Sequence, residues 1–296
     1  MTVTDSAEEK ALLYLPSEIA SVIRRSMGLY KGNISEIRLR AGMPVFITAN
    51  GKNIICGAKA DHGAIERTVR NLCGNSLYSH SETIREGYIC TDGGIRAGVC
   101  GRAVTDGGRI IGITDISSVC IRIPHRVIGA ADPIVKHVLD SGGGLLIFSK
   151  PGVGKTTVLR ELAARLSAQP FNMRIAVVDT RFEICGALKG NYSIDALSGY
   201  PRSKGMETAL RTLSPQIIIC DEIASAEDAR AIRNSAGAGV PVIASAHAGS
   251  RDELYENENI AELLNKNIFK ATAELRRSGT DMTITIEDRT GSVVLC

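Results

Sequence analysis

The chain contains no tryptophan, and its aromatic side chains are limited to seven tyrosines and five phenylalanines among 296 residues. This scarcity argues against a platform on which the bases of single-stranded nucleic acid stack. Net charge is also small, because 35 Lys and Arg residues against 32 Asp and Glu residues leave +3. A chain built mainly to neutralise nucleic-acid phosphates is usually more basic. We therefore do not expect nucleic acid as a partner.

Long apolar runs and closely paired cysteines are missing as well. The strongest apolar runs, Leu145–Phe148 and Ile217–Cys220, are far shorter than the roughly 18 to 20 residues of a membrane helix, so no direct membrane span is expected. The segment Met1–Lys10 is acidic and lacks the apolar core of a signal peptide. The eight cysteines show no C-x-x-C spacing, which favours reduced structural thiols. Together these absences predict a cytoplasmic protein.

The two parts of the chain have different patterns, and the overall composition is that of a globular protein. Residues 1–132 predict a smaller α+β domain, in which the repeated Thr-Asp-Gly-Gly at 91–94 and 105–108 marks the turns of a three-stranded meander. Residues 133–296 alternate short apolar strands with helices, which predicts an α/β domain with a mainly parallel sheet covered on both faces. The glycines at 142–144 are predicted to form a hinge.

A glycine-rich segment, SKPGVGKTT at 149–157, follows a predicted buried strand and opens a helix. Backbone N–H groups in such a loop cradle phosphate oxygens, with Lys155 reaching the β- and γ-phosphates and the Thr156 hydroxyl binding Mg²⁺. Its first residue is Ser where the strict pattern has Gly, and the alternative is an ordinary strand-to-helix turn. The candidate nucleotide-binding residues are Lys150, Pro151, Gly152, Val153, Gly154, Lys155, Thr156 and Thr157.

Two adjacent acids, Asp221 and Glu222, end a hydrophobic strand. In phosphoryl transfer the first acid of such a pair holds the metal, and the second can orient and deprotonate the attacking water. Asp221 is therefore the candidate metal residue alongside Thr156, and Glu222 is the candidate catalytic residue. Either acid alone could be a solvated strand end.

Polar residues also follow two other predicted strands. Asp179 ends one strand and leads to Glu183, so both carboxylates can face the crevice at the carboxyl edge of the sheet. His247 follows another strand, at the edge where a sensor of the γ-phosphate would lie. A lone His in such a place is often structural. We include Asp179, Glu183 and His247 among the candidate catalytic residues.

Six segments together carry a resemblance to a known family: Glu36–Pro44, Gly93–Gly98, Pro151–Thr157, Asp179–Ile184, Ser214–Ile223 and Ser245–Ala248. Over nearly its whole length the chain resembles the stage III sporulation protein AA family, whose members are P-loop ATPases similar to the motor ATPases of type II and type IV secretion and pilus systems. The resemblance implies a RecA-like P-loop ATPase domain after the α+β domain, with ATP and Mg²⁺ bound near their interface.

The same resemblance implies partners and further site residues. It implies a homo-oligomer, a hexameric ring, on the mother-cell side of a channel between mother cell and forespore, attached through membrane-anchored proteins of that channel. Asp179 and Glu183 match the aspartate box of the secretion ATPases, and His247 matches their histidine box. Arginines of the first domain are expected to reach a nucleotide; the candidates are Arg38, Arg40, Arg96, Arg102, Arg122 and Arg126, of which Arg96, Arg102 and Arg122 are our selection.

The function predicted from these features is Mg²⁺-dependent ATP hydrolysis that energises assembly or transport at the channel. One alternative is a nucleotide-dependent assembly switch in which hydrolysis is incidental. The other is a nucleic-acid-handling ATPase of the RecA-like superfamily, against which the small net charge and the lack of tryptophan count.

Overall fold

The structure, a computed structural model, describes residues 7–30, 34–91, 94–123, 129, 131–185, 188, 193–278, 281–288, 291 and 293–295. The polypeptide divides into two compact units, Met1–His125 and Arg126–Cys296. The domain boundary between residues 132 and 133 stays a prediction.

The first unit is a six-stranded antiparallel sheet with helices on one face. Its described helices are α1 (Ala7–Leu12), α2 (Ser17–Tyr30), α3 (His62–Leu72) and α4 (Ser81–Arg85), with a 3-10 helix at Tyr78–His80. Its described strands are β1 (Ile34–Arg40), β2 (Met43–Ala49), β3 (Lys52–Ala60), β4 (Tyr88–Cys90), β5 (Arg96–Asp106) and β6 (Arg109–Arg122), in the order β3-β2-β1-β6-β5-β4.

Alternation along the strands decides which face of this sheet is buried. Ile37 and Leu39 of β1 are fully buried and pack in one cluster with Ile23 of α2 and Ile65 of α3. Arg38, which lies between Ile37 and Leu39, projects to the opposite face, because successive strand side chains alternate. The predicted meander is confirmed, since β4, β5 and β6 are neighbours in the sheet; residues 92 and 93 of its first turn lie outside the described residues.

The strands β5 and β6 continue beyond the sheet as a two-stranded arm, which we define as residues 100–117. Strand β4 pairs with β5 only at 96–98, and β1 pairs with β6 only at 118–122. Every β5 residue from position 100 to 106 is exposed. A Cβ at Gly101 would lie 2.4 Å from the carbonyl oxygen of Thr114, so the close approach of the two strands requires glycine there.

The second unit is a mainly parallel sheet with helices on both faces, as the fold prediction required. Its described helices are α5 (Asp132–Ser141), α6 (Lys155–Ser167), α7 (Arg202–Thr212), α8 (Ala226–Gly237), α9 (Arg251–Glu256) and α10 (Glu258–Asn265). Its described strands are β7 (Gly144–Ser149), β8 (Ile175–Asp179), β9 (Ile194–Ser198), β10 (Ile217–Cys220), β11 (Val242–His247), β12 (Phe269–Ser278), β13 (Asp281–Asp288) and β14 (Val293–Leu295). The order is β14-β13-β12-β7-β11-β10-β8-β9, parallel from β12 to β9 and antiparallel from β12 to β14.

Successive residues of the central strands feed two separate cores. In β7, Leu145 and Ile147 pack on one face of the sheet with Leu159 of α6, whereas Leu146 and Phe148 pack on the other with Ile232 of α8. Strands buried on both faces carry unbroken apolar runs. This three-layer arrangement gathers the carboxyl ends of β7, β8, β10 and β11 along one edge of the sheet.

The glycines predicted to form a hinge lie inside the second unit and shape local structure there. Gly142 ends α5 in the left-handed conformation, at φ 59°. Gly144 opens β7, where a Cβ would lie within 3.0 Å of two backbone oxygens, that of Val242 in β11 and that of Ile268 just before β12. These glycines therefore end a helix and begin a strand rather than joining the two units.

Candidate functional site

The loop at 150–154 joins β7 to α6 at the carboxyl edge of the parallel sheet. Gly152 has φ 77° and Gly154 has φ 127°, values that side chains with a Cβ rarely adopt. Gly154 also occupies the N-cap position of α6, so unpaired N–H groups of the helix open onto the loop. Because these N–H groups face the loop, the loop is suited to bind an anion such as phosphate. The strand–loop–helix arrangement is the one predicted from sequence. Ser149 at the end of β7 makes the turn without the glycine of the strict pattern.

Lys155 lies at the centre of the site and is buried. Its Nζ donates to the carbonyl oxygen of Ser149 at 3.1 Å and lies 2.9 Å from Nδ1 of His247. Burial lowers the pKa of Lys155, and the negative charge of Glu222 opposes that effect. The side chain is thus held in place by neighbours within the same edge of the sheet.

His247 connects Lys155 to Glu222. It ends β11 directly beside Ser149 of β7 in the parallel register. Its Nε2 lies 2.7 Å from Oε1 of Glu222, while its Nδ1 faces the lysine. A neutral imidazole that accepts at Nδ1 from the ammonium and donates from Nε2–H to the carboxylate satisfies both contacts.

Glu222 is held on its other side by Arg181. The Arg181 guanidinium donates to Oε2 of the carboxylate. Glu222 also has φ 22°, a backbone conformation that is unfavourable for a residue with a Cβ. Its N–H donates to the hydroxyl of Ser245 at 3.1 Å, which fixes this turn against β11. The carboxylate is therefore directed toward the phosphate-type loop at the expense of local strain.

Asp221 has a different environment, although it is the preceding residue. Its side chain is 3% exposed, and Oδ1 accepts two long hydrogen bonds of 3.4 Å from the Arg202 guanidinium. Its Oδ2 is buried without a hydrogen-bond partner. Burial raises the pKa of Asp221 to about 6, and Arg202 works against that rise.

Asp179 is turned inward and supports the loop that follows β8. It is fully buried, and its two oxygens accept from the backbone N–H groups of Glu183, Ile184 and Cys185 at 2.7–2.8 Å. Asp179 is therefore a positioning residue for this loop. Glu183 points the other way, so that its Oε2 lies 3.5 Å from the hydroxyl of Thr156.

Two atoms of the site are suited to hold Mg²⁺. The unpartnered Oδ2 of Asp221 is an orphaned buried acceptor, and the Thr156 hydroxyl lies in the first turn of α6. Within the described ranges there is no cluster of three or more His, Cys, Asp or Glu residues that could hold a metal alone. This fits Mg²⁺, which usually takes one or two protein ligands and completes its shell with phosphate oxygens and water.

The arginines selected in the first unit do not form one group. Arg96 lies over the ring of Tyr88, with 4.3 Å from its guanidinium carbon to the ring centroid, and is opposite Arg122 in the sheet register. Arg102 belongs to the arm, where it is 79% exposed and lies 3.5 Å from a carboxylate oxygen of Asp115. Arg126 lies outside the described residues.

Sequence reasoning missed two arginines of the site. Arg181 contacts Glu222 across 41 positions of sequence, and Arg202 contacts Asp221 across 19. Arg202 is the first residue of α7. A cation in the first turn opposes the helix dipole, and that misfit is a signal from which a long-range acidic partner could have been predicted.

Solved structures show the same fold. The DotB ATPase of Legionella pneumophila aligns with a TM-score of 0.61 at 14% identity, covering 95% of this chain and 79% of that one. The pilus retraction motor PilT, solved with bound ADP, aligns with a TM-score of 0.61 at 16% identity, covering 90% of this chain and 81% of that one. The chain therefore has the RecA-like fold of these two proteins.

Sequence comparison identifies the family. The family described as "Sporulation stage III, protein AA" matches residues 7–294. Stage III sporulation protein AA of Bacillus subtilis (strain 168) is 32% identical over 272 residues, which cover 88% of this chain and 89% of that protein. The chain belongs to the stage III sporulation protein AA family, as the resemblance predicted. Over the described part of the chain, none of the helices is both long enough and apolar enough to cross a membrane.

Proposed function

We propose that the protein binds ATP at the loop 150–154 and hydrolyses it. The observation that carries this proposal is the continuous contact from Lys155 through His247 to Glu222, at the mouth of a glycine-rich strand-to-helix loop. It joins a cation suited to phosphate with a carboxylate suited to water activation. An ordinary strand-to-helix turn would not require this pairing of buried and strained groups.

Each residue of the candidate site has a separate task in this proposal. The backbone N–H groups of the loop and Lys155 bind the phosphates and neutralise their charge. Glu222 orients the attacking water and accepts its proton. His247 senses the phosphate, because a terminal phosphate near Lys155 competes for the contact that the imidazole now makes. Asp179 holds the loop that presents Glu183.

Mg²⁺ is the proposed cofactor, held by Asp221 and the Thr156 hydroxyl. When bound it would supply positive charge against the phosphate oxygens. The orphaned Oδ2 of Asp221 supports this assignment. Glu183, close to the Thr156 hydroxyl, keeps that side chain oriented.

At the level of assembly, we propose a homohexameric ring on the mother-cell side of the sporulation channel, attached to the membrane through membrane-anchored channel proteins. Membership of the stage III sporulation protein AA family supports this context. Arginines of the first unit, with Arg96, Arg102 and Arg122 as the candidates, are proposed to reach nucleotide in the ring. Nucleic acid is not a proposed partner.

ATP turnover of the purified full chain tests this function. Glu222→Gln removes the proton acceptor at nearly constant shape and should lower turnover by a factor of at least about 100, while nucleotide binding persists. Lys155→Ala should weaken the binding itself. Glu227→Gln, at an exposed position in the first turn of α8, is the matched control and should leave turnover unchanged. Equal turnover of the wild type and Glu222→Gln would overturn the assignment of hydrolysis.

One observation favours the assembly switch as a second candidate. Both carboxylate oxygens of Glu222 are engaged, one by His247 and the other by Arg181. Hydrolysis requires at least one of these contacts to open, so nucleotide binding and hydrolysis can be separate events. Molecular mass in solution with and without ATP and Mg²⁺, measured together with ATP turnover, distinguishes the two. A switch changes mass on binding in both the wild type and Glu222→Gln, and the wild type shows no turnover above that of the variant.

A further inference from the structure

The contacts of Arg202 extend beyond the acid that is proposed to hold the metal. Its Nε and one terminal nitrogen donate to Oδ1 of Asp221, and the other terminal nitrogen donates to Oδ2 of Asp228 at 2.9 Å. The Arg202 side chain is 14% exposed, and both carboxylates are more deeply buried. One guanidinium therefore bridges two buried acids with its planar fork, which a lysine ammonium cannot reproduce.

Asp228 connects this bridge to the turn that carries Glu222. Its Oδ2 also accepts from the N–H groups of Ala224 and Ser225 at 3.2 Å, and its own N–H donates to the Ser225 hydroxyl at 3.1 Å. This capping box fixes the start of α8. Through Asp221 and Asp228, the Arg202 side chain thereby holds together the end of β10, the segment after Glu222 and the start of α8.

The position of Arg202 within α7 shows that its contacts with Asp221 and Asp228 determine where its side chain lies. It occupies the first turn of α7, where the helix dipole disfavours a positive charge. Two buried carboxylates outweigh that local cost. Arg202 contacts Oδ1 of Asp221 alone, and Oδ2 of the same carboxylate is buried without a hydrogen-bond partner.

We infer that Arg202 is a positioning residue for Mg²⁺: by fixing Oδ1 of Asp221 against Asp228, it presents Oδ2 as the single oxygen available to the metal. This inference rests on the proposed nucleotide function. Groups that orient a metal ligand from behind typically change metal affinity by about 10- to 100-fold when removed. Arg202 touches neither the metal nor the nucleotide in this role.

The test measures how binding of a fluorescent ADP analogue to the full chain depends on Mg²⁺. Wild type, Arg202→Gln and Arg202→Lys are titrated with Mg²⁺, starting from EDTA. Arg202→Gln should raise the Mg²⁺ concentration at half-saturation about ten-fold or more. Arg202→Lys keeps the charge without the fork and should give a smaller rise. Affinity for the analogue in EDTA should be the same in all three. Arg211→Gln, exposed near the end of the same helix, is the control.

The outcomes separate this inference from the proposed function. If the wild type does not bind the analogue, the nucleotide function itself is overturned. If the wild type binds and both Arg202 variants keep its Mg²⁺ midpoint, only the positioning role is overturned. An equal loss of affinity with and without Mg²⁺ also overturns it, because that result indicates a general packing role. Should Arg202→Gln fail to fold, the midpoint of Arg202→Lys decides.

Discussion

Replacing Asp221 by Asn tests the raised pKa of this carboxyl, and the measured quantity is the free energy of unfolding as a function of pH. Burial raises the pKa of this carboxyl from 3.8 to about 6, opposed by Arg202 and reinforced by Asp179. Between those pH values the folded state binds more protons than the unfolded state. The free energy of unfolding therefore falls as pH rises through this window. The contribution is fully present below about pH 4 and is lost above about pH 6, and its size is about 3 kcal/mol for a shift of about two pKa units.

The assay compares urea unfolding of the wild type and Asp221→Asn by far-UV circular dichroism in EDTA, at about pH 4 and about pH 7.5. Because the variant has no titrating group at this position, its stability relative to the wild type should rise by about 2 kcal/mol between the two pH values. Asp195→Asn, an exposed carboxylate in β9, is the control, and its difference from the wild type should change by less than about 0.5 kcal/mol. Parallel pH dependence of the wild type and Asp221→Asn would refute the reasoning.

Two further substitutions test the packing that holds the site. Gly205→Ala places a Cβ 2.5 Å from Cγ1 of Val178, so it should destabilise the chain by about 1–3 kcal/mol in thermal unfolding. In the control Gly237→Ala the added Cβ meets nothing within 4 Å, so this variant should keep the stability of the wild type. Equal unfolding midpoints for the two variants would contradict the packing in the second unit. Asp179→Asn replaces a carboxylate that accepts three backbone N–H groups and should cost on the order of 3 kcal/mol of stability, against little change for Asp195→Asn. A loss of activity without a loss of stability in Asp179→Asn would instead indicate a direct role for this carboxylate.

The central strands of the second unit could be predicted because burial on both faces demands an unbroken apolar run. The run Leu145–Ser149 predicts β7 to within one residue at its start. The edge strand β9 was not predicted, since Asp195 and its neighbour are exposed and no apolar run marks it. Strand β12 was missed for a related reason: two of its last three residues are arginines, and its partner β7 lies more than a hundred positions earlier in the chain.

In the candidate site too, residues marked by a local sequence pattern could be predicted, whereas residues brought together by packing of distant segments could not. Lys155, Glu222 and His247 each follow a buried strand or open a helix, so local pattern was enough to predict that they meet at one edge of the sheet. Their roles remain predictions. Arg181 and Arg202 are isolated in the sequence, and only the packing of α7 and of the loop after β8 brings them to the acids. Asp179 was predicted to face the crevice, but its three backbone contacts direct it inward.

The exposed arm of the first unit has a practical consequence for chemistry on this protein. Among the seven cysteines in the described part of the chain, Cys100, where the arm begins, is the exposed one. Burial raises the pKa of the Cys73 thiol to about 11 and also raises the pKa of Cys120, which keeps those sulfurs protonated and slow to react. A thiol-directed dye would modify Cys100 ahead of them. The arm thus offers a point at which to attach a reporter, in a different unit from the glycine-rich loop at 150–154.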